Sequence, residues 1–252
     1  MNLEGKVALI TGAGKGVGQG IAEVLAGYRV KIGLNYNSSE EEAKEVKDKI
    51  EKSGGEVILL KTDVSQSAQV KLMAEKLADK YGKIDILVNN AAVQKNLWLR
   101  EYSIEDYELV MSVNLKGYML CMQAVLPYMR TIGAGRIINI SSIHSKRPTD
   151  FDPVYSMAKG GVKMLTRESA IEFAKYGITV NAIELGAIEI GTKTGNPRSI
   201  RTKVNPSPFR KYPVGRYGTP QEVGHLTAYL ASEESAFMNG TSIRFDGGRA
   251  LV

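Results

Sequence analysis

Apolar residues along the chain fall into two alternating textures. Short, β-branched runs occupy 7–11 (VALIT), 30–35 (VKIGLN), 57–61 (VILLK), 84–90 (IDILVNN), 136–140 (RIINI), 178–184 (ITVNAIE) and 242–245 (SIRF). Between them, apolar residues recur at three- and four-residue intervals over 39–53, 66–81, 104–130, 153–175 and 220–231, and Ile21, Val24 and Leu25 mark a first helix after the opening run. A strand inside a parallel sheet is covered on both faces and reads as a continuous apolar run, whereas a helix shows one apolar stripe. Strand and helix in alternation, joined by right-handed crossovers, predict an α/β doubly wound Rossmann fold: a seven-stranded, mostly parallel sheet with helices on both faces. No repeat, low-complexity tract or linker interrupts it, so a single domain is expected over 1–252. The stretch 190–221 breaks the pattern, with Pro197, Pro206, Pro208, Pro213 and Pro220. A long irregular stretch inside a compact domain usually serves function, which predicts a substrate lid there.

Composition narrows the class. With 252 residues, 43% of them hydrophobic, the chain can close one large core. Cys121 is its only cysteine; no intramolecular disulfide can form, no metal site is expected, and a reducing, cytoplasmic setting follows. The apolar run at 7–10 is too short for a signal-peptide core, and no run approaches the ~20 residues that span a bilayer. The formal charge of +6 is not gathered on a helix with interleaved aromatics. Neither nucleic acid nor a membrane is therefore an expected partner, and a small molecule, including an anionic one, is.

Candidate chemistry sits at the C-terminal ends of the strands, where ligands bind in such sheets. The first strand runs into TGAGKGVGQG, with Gly12, Gly16 and Gly18 before an apolar helix. Glycines let the backbone approach a pyrophosphate, whose charge the helix N-terminus then holds, so Gly12, Lys15, Gly16, Val17 and Gly18 are expected to bind a dinucleotide. The alternative is a bare strand-to-helix turn. After the second strand, Asn35, Tyr36, Asn37 and Ser38 stand where a carboxylate would otherwise hold a ribose 2′-hydroxyl and repel a 2′-phosphate. Their neutrality, with Lys15 nearby in the turn, favours NADP(H) over NAD(H).

The fifth run ends at Ser142, and Tyr155 precedes Lys159 by one helical turn, on the same helix face. A phenol titrates near 10, so acting as a base near neutrality requires about three units of depression, which a lysine ammonium about 4 Å away could supply. Ser142 would bind the substrate oxygen, Tyr155 exchange its proton, and Lys159 tune Tyr155 and hold the cofactor ribose. Taken alone, the pair could equally be two ordinary helix residues. His144 and Arg147, close to Ser142 in sequence, are candidate donors to substrate, although His144 could also be a packing residue.

Together Thr11-Gly12-x-x-x-Gly16-x-Gly18, Asn89-Asn90-Ala91, Asn114, Ser142 and Tyr155-x-x-x-Lys159 resemble the short-chain dehydrogenase/reductase family over essentially the whole chain. The resemblance implies an NAD(P)-dependent enzyme interconverting alcohols and carbonyls. It further implies that Asp63 and Val64 meet adenine, Asn90 and Ala91 the adenosine side, Gly186 and Ile188 the nicotinamide, and that Asn114 holds a relay water beside Lys159. Read without the family, Asp63 is a helix cap and Asn114 a satisfied buried amide. Homotetramers or homodimers, built through 104–130, 153–175 and the last strand, are also implied. Three positions depart from the family pattern: Ala92 replaces a glycine, Leu185 a proline and Ile190 a threonine.

The stretches LNYNSSEEEAKEV, NISSIHSKRP and VYSMAKGGVKMLT are similar to the bacterial glucose 1-dehydrogenase branch, and the ground plan is equally similar to the 3-oxoacyl-carrier-protein reductases. A sugar, polyol or anionic sugar derivative is therefore the expected substrate, with an acyl-carrier thioester as the alternative. A dinucleotide-binding regulator without chemistry is a third reading, which retention of Ser142, Tyr155 and Lys159 opposes. Between 190 and 221 stand Lys193, Arg198, Arg201, Lys203, Arg210, Lys211 and Arg216 with no acidic residue, a one-sign segment that would attract anions or simply be solvated.

Overall fold

The computed structural model describes residues 1–190 and 212–252. Most of the expected lid, 191–211, with all of its cations except Arg216, lies outside the described residues. Seven strands form one sheet in the order β3-β2-β1-β4-β5-β6-β7, with β1 at Val7–Ile10, β2 at Lys31–Tyr36, β3 at Val57–Lys61, β4 at Ile86–Asn89, β5 at Gly135–Ser142, β6 at Ile178–Leu185 and β7 at Ser242–Phe245. Every pairing between these strands is parallel, so the sheet is wholly rather than mostly parallel. Chain order reverses direction at β1, between β2 and β4, which opens a crevice at the strand C-termini.

Strand alternation divides the core into two layers. Ala8 and Ile10 of β1 face one side with Ile32 and Leu34, covered by α1 (Gly16–Gly27), α2 (Glu40–Lys52) and α7 (Pro220–Ala231). Val7 and Leu9 face the other with Leu87, Ile137 and Val180, covered by α3 (Ser67–Tyr81), α5 (Gly117–Ile132) and α6 (Pro153–Phe173). Sequence chemistry sets the helix ends. Asp152 accepts a hydrogen bond from Tyr155 N at 3.1 Å and Pro153 opens α6, while Thr219 and Glu222 form a capping box ahead of α7.

The expected helix 104–130 is not continuous. After α4 (Ile104–Met111) one π turn, Ser112–Lys116, precedes α5. By length and composition Ile104–Ile132 could cross a membrane, but Tyr118, Cys121, Met122, Val125 and Met129 are buried in the layer against the sheet.

Among the largest fully buried side chains is one that is charged in water. Lys159, on α6, is 2% exposed, and its Nζ donates to Ile140 O at 2.8 Å and Tyr118 Oη at 3.2 Å. Among the described residues it has no ion pair. Burial therefore pulls its pKa from 10.5 down to about 7. Between those values the unfolded chain binds a proton that the folded chain releases, so this group makes stability rise with pH through that window. We expect Lys159→Met to be more stable than the parent at pH 6.5, and that advantage to shrink by about 2–4 kcal/mol by pH 9.5. Urea unfolding of both proteins at the two pH values is the measurement, and an unchanged difference would contradict it.

Candidate active site

The crevice at the strand C-termini is a cavity of about 650 Å³. It gathers nearly all the residues singled out in the sequence: Gly12, Lys15, Gly16 and Val17; Tyr36, Asn37 and Ser38; Asp63 and Val64; Asn90 and Ala91; Ser142, Tyr155 and Lys159; Gly186 and Ile188. Gly18, Asn114, His144 and Arg147 do not line it. The first two support its walls from behind, and the last two belong to neighbouring surfaces.

The glycine turn is built by close approach. Gly12 and Gly16 have φ values of 62° and 61°, a region that L side chains rarely enter. A Cβ on Gly18 would lie 2.6 Å from Asn90 Nδ2 and 2.9 Å from Ala13 Cα. Side chains then pin the turn to its neighbours: Asn35 Oδ1 accepts from Gly12 N at 3.1 Å, Thr11 Oγ1 from Asn90 N at 2.8 Å and Ala91 N at 3.0 Å. Asn90 Nδ2 donates to Thr11 O and Gly12 O at 2.9 and 3.0 Å, so its amide holds the turn itself. Helix α1 starts at Gly16 with no side-chain cap and no acidic residue in its first turn, leaving N–H groups for an anion. The cradle that a Cβ would fill, a positive helix end and a polar rim fit a dinucleotide. At the end of β2, Asn37 and Ser38 are exposed beside it. The first carboxylate beyond them, Glu40, is paired with Lys61 at 3.0 Å and Lys44 at 3.3 Å.

Asp63 does not cap α3; its Oδ1 accepts from Ser65 N at 2.9 Å, closing a local turn. Asn114, 0% exposed, sits in the π turn and pairs with one residue of the crevice wall, accepting from Val93 N and donating to Val93 O, both at 2.8 Å. Its side-chain amide thus braces that wall through one donated and one accepted bond.

Ser142 ends β5, and its Oγ accepts from His144 N at 3.2 Å. Tyr155 reaches it from α6, with Lys159 Nζ 5.6 Å from the Tyr155 ring centroid. The expected depression of the phenol does not occur in the polypeptide alone. Burial pushes Tyr155 up to about 12, against a downward pull from its hydrogen bond with Ser142 and with a further upward push from Asp152. Burial outweighs the hydrogen bond, and it separately drives Lys159 toward its neutral form. Such a set can pass a proton between Tyr155 and an oxygen bound at Ser142.

His144 Nδ1 lies 3.0 Å from both Arg147 O and Pro148 O, and its ring borders a separate cavity of about 480 Å³ with Trp98, Phe151 and Met157. Arg147 Nη1 donates to Arg249 O at 3.2 Å and Val252 O at 3.3 Å, tying the 143–149 turn to residues near position 252. Arg216 forms a two-point pair with Glu222, at 2.6 and 2.9 Å, beside the start of α7. Two contributors were not singled out in the sequence: Tyr118, which holds Lys159, and Asp152, discussed below. An Asp-Pro pair three residues ahead of Tyr155 was the available signal for Asp152, as a helix cap.

Known proteins are similar to this chain over nearly its whole length. A family model described as enoyl-(acyl carrier protein) reductase matches residues 12–250. Glucose 1-dehydrogenase 2 of Bacillus subtilis is 32% identical over 252 residues, covering 99% of this chain and 96% of that protein. A 3-oxoacyl-[acyl-carrier-protein] reductase of Synechocystis is 34% identical over 251 residues, covering 99% and 98%. Among solved structures, a gluconate 5-dehydrogenase from Burkholderia cenocepacia, in complex with NADP and tartrate, superposes with a TM-score of 0.89 at 33% identity, covering 100% of this chain and 97% of that one. With a glycine turn, a serine-ended strand and the tyrosine–lysine pair in one crevice of this fold, the chain belongs to the short-chain dehydrogenase/reductase family, whose members bind a nicotinamide dinucleotide and act on alcohol and carbonyl groups.

Proposed function

We propose that the chain interconverts a secondary alcohol and a carbonyl on a sugar, polyol or sugar acid, using NADP(H). The observation that carries the chemistry is the convergence of Ser142, Tyr155 and Lys159 at the mouth of the dinucleotide crevice. Ser142 holds the substrate oxygen, and Tyr155 Oη gives that oxygen a proton in reduction or takes it in oxidation. Lys159 sets the charge around Tyr155 and reaches the ribose. The dinucleotide supplies or accepts the hydride at the same carbon, so one proton and one hydride move in each turnover. Gly12, Gly16 and the α1 N-terminus hold the pyrophosphate, Gly186 and Ile188 flank the nicotinamide, and Asp63, Val64 and Ala91 border the adenosine end.

The substrate class rests on the likeness to a glucose dehydrogenase and to a gluconate dehydrogenase crystallised with tartrate, and on the polar wall of Ser141, Ser142 and Gln94. The likeness to 3-oxoacyl reductases supports a thioester substrate instead, and a substrate panel separates the two. NADP(H) is favoured because Asn37 and Ser38 leave the 2′-position free of carboxylate and exposed Lys15 lines the same space. Two similar structures are described as NADP complexes. We further propose a homotetramer or homodimer closing over α4–α5, α6 and β7. On α6, Met157, Met164 and Ile171 lie seven residues apart and are 52%, 52% and 76% exposed, a seam of the kind that pairs helices. A buried Cys121 with its thiol pushed up to about 12 fits the reducing setting of the cytoplasm.

Three outcomes test this reading. Tyr155→Phe is expected to bind dinucleotide as the parent does and to lose about 10²–10⁴-fold in kcat; absorbance of the nicotinamide against neutral sugars, sugar acids and acyl thioesters reports both turnover and substrate class. Turnover of thioesters alone would replace the sugar assignment. Lys15→Ala should raise KM for NADP(H) about tenfold, with a smaller change for NAD(H), as expected for loss of one cation beside a phosphate. Met164→Glu with Ile171→Glu should shift the mass in light scattering to a smaller species, and an unchanged mass would remove α6 from the interface.

A further inference from the structure

The loop from 90 to 98 forms one wall of the crevice through Asn90, Ala91, Ala92, Val93 and Gln94, yet among the described residues no backbone N–H or C=O of 90–97 bonds to another backbone group. Side-chain oxygens hold it instead. Thr11 takes Asn90 N and Ala91 N, Asn114 takes Val93 N, and Glu101 takes Trp98 N. The far limb of the loop is held by one group. Asp152 Oδ2 accepts from Lys95 N at 3.0 Å and from Asn96 N at 3.1 Å, and Asn96 has a φ of 58° at that point.

The same carboxylate holds the start of the helix that carries Tyr155. Asp152 is 0% exposed; its Oδ1 accepts from Tyr155 N at 3.1 Å and from Tyr102 Oη. Four donors satisfy its two oxygens, and none of them is a cation. Lys95, the basic residue of the loop, is paired with Asp106 of α4 at 2.7 Å. The titratable groups around the carboxylate are thus Tyr155 on its own helix, Tyr102 ahead of α4, and the Lys95–Asp106 pair. Tyr102 is held far above its usual range, by burial first and then by Asp152, so it stays a donor at working pH.

We propose that Asp152 is a positioning residue that latches the substrate-side wall to the proton-transfer tyrosine, and that its uncompensated charge opposes ionisation of that tyrosine. The latch sets the distance between Gln94 and Tyr155, and so the shape of substrate accepted; this part rests on the acid/base role proposed for Tyr155. Replacing one carboxylate oxygen with an amide group leaves a single acceptor for donors that need both oxygens, and either the wall or the helix end is released. Loss of the negative charge favours the tyrosinate, so the base form is reached at lower pH.

The test uses the full chain with Asp152→Asn and, as a second variant that keeps the charge, Tyr102→Phe. In Asp152→Asn we expect amide hydrogen exchange in 93–97 to accelerate at least about tenfold, because the bonds that protect Lys95 and Asn96 are lost. The acid limb of the kcat–pH profile for alcohol oxidation should move down by about 0.5–1 pH unit, with KM rising more than kcat falls. Tyr102→Phe should loosen 93–97 less and leave the limb from moving downward. Loop exchange equal to the parent in Asp152→Asn overturns the latch, and an unmoved limb overturns the charge effect. Should Asp152→Asn not fold, Asp152→Glu, which keeps the charge but moves both oxygens by one methylene, takes its place, and 93–97 exchange equal to the parent in it overturns the latch. Exchange is read without substrate or dinucleotide, so a parent protein that turned over no alcohol would sink the proposed function and leave this result standing.

Discussion

A lysine ammonium buried without a carboxylate is the constraint around which the crevice is built. Lys159 can stay inside only where oxygen atoms accept its protons, and two do: the carbonyl of Ile140 on β5 and the hydroxyl of Tyr118 on α5. Tyr118 is itself held by donating to Ile140 O at 3.0 Å. Three elements must therefore meet within hydrogen-bond distance of one nitrogen. Asn114 lies one helical turn before Tyr118, so the two share a face; one braces the wall at Val93 while the other seats the lysine. The π turn at Ser112–Lys116 is where α4 hands over to α5. A wider turn shifts the helix register, and the π turn and α5 together present Asn114 and Tyr118 inward.

The loop that borders substrate has no secondary structure of its own and borrows its shape from four side chains anchored elsewhere. Thr11 belongs to the glycine turn, Asn114 to the π turn, Asp152 to the start of α6 and Glu101 to the turn that follows the loop. Dinucleotide, lysine and substrate regions are thereby coupled through short polar links rather than through a common apolar core. Ile190, one of the departures from the family pattern, adds an apolar contact here: its side chain lies 3.4 Å from where a Cβ on Gly16 would stand. A threonine in that place would present a hydroxyl to the crevice; isoleucine presents only hydrocarbon.

Period and order made the architecture legible. Alternating runs gave strands within a residue or two of their observed ends, and the glycine turn, Ser142 and Tyr155-x-x-x-Lys159 were readable because each depends on local spacing and on the strand end that carries it. The π turn was hidden because 104–130 keeps a helical pattern straight through it; an extra residue in one turn changes direction without changing composition. His144 and Arg147 were chosen for nearness to Ser142 in sequence. A short 3₁₀ turn at Ile143–Ser145 carries His144, and Arg147 beyond it bonds the backbone of Arg249, so neither lines the crevice; only the backbone decides this. Asp152 was readable as a helix cap, but its hold on residues 95 and 96 is a contact between segments far apart in the chain. The sign of the tyrosine shift was also hidden, because it depends on how much water the folded site excludes.

That sign bears on direction. Burial moves Tyr155 up to about 12 and Lys159 down to about 7, so both groups are pushed toward their neutral forms. Asp152 pushes the tyrosine the same way, and only the hydrogen bond from Ser142 opposes it. A neutral phenol is a donor, the role that carbonyl reduction asks of it, whereas oxidation near neutral pH asks for ionisation roughly five units lower. Among the described residues no other side chain of the crevice supplies that difference. An oxidised nicotinamide bound in the crevice would bring a positive charge that favours a tyrosinate. The described side chains alone would favour proton donation, and a bound oxidised dinucleotide would ease ionisation of the same tyrosine.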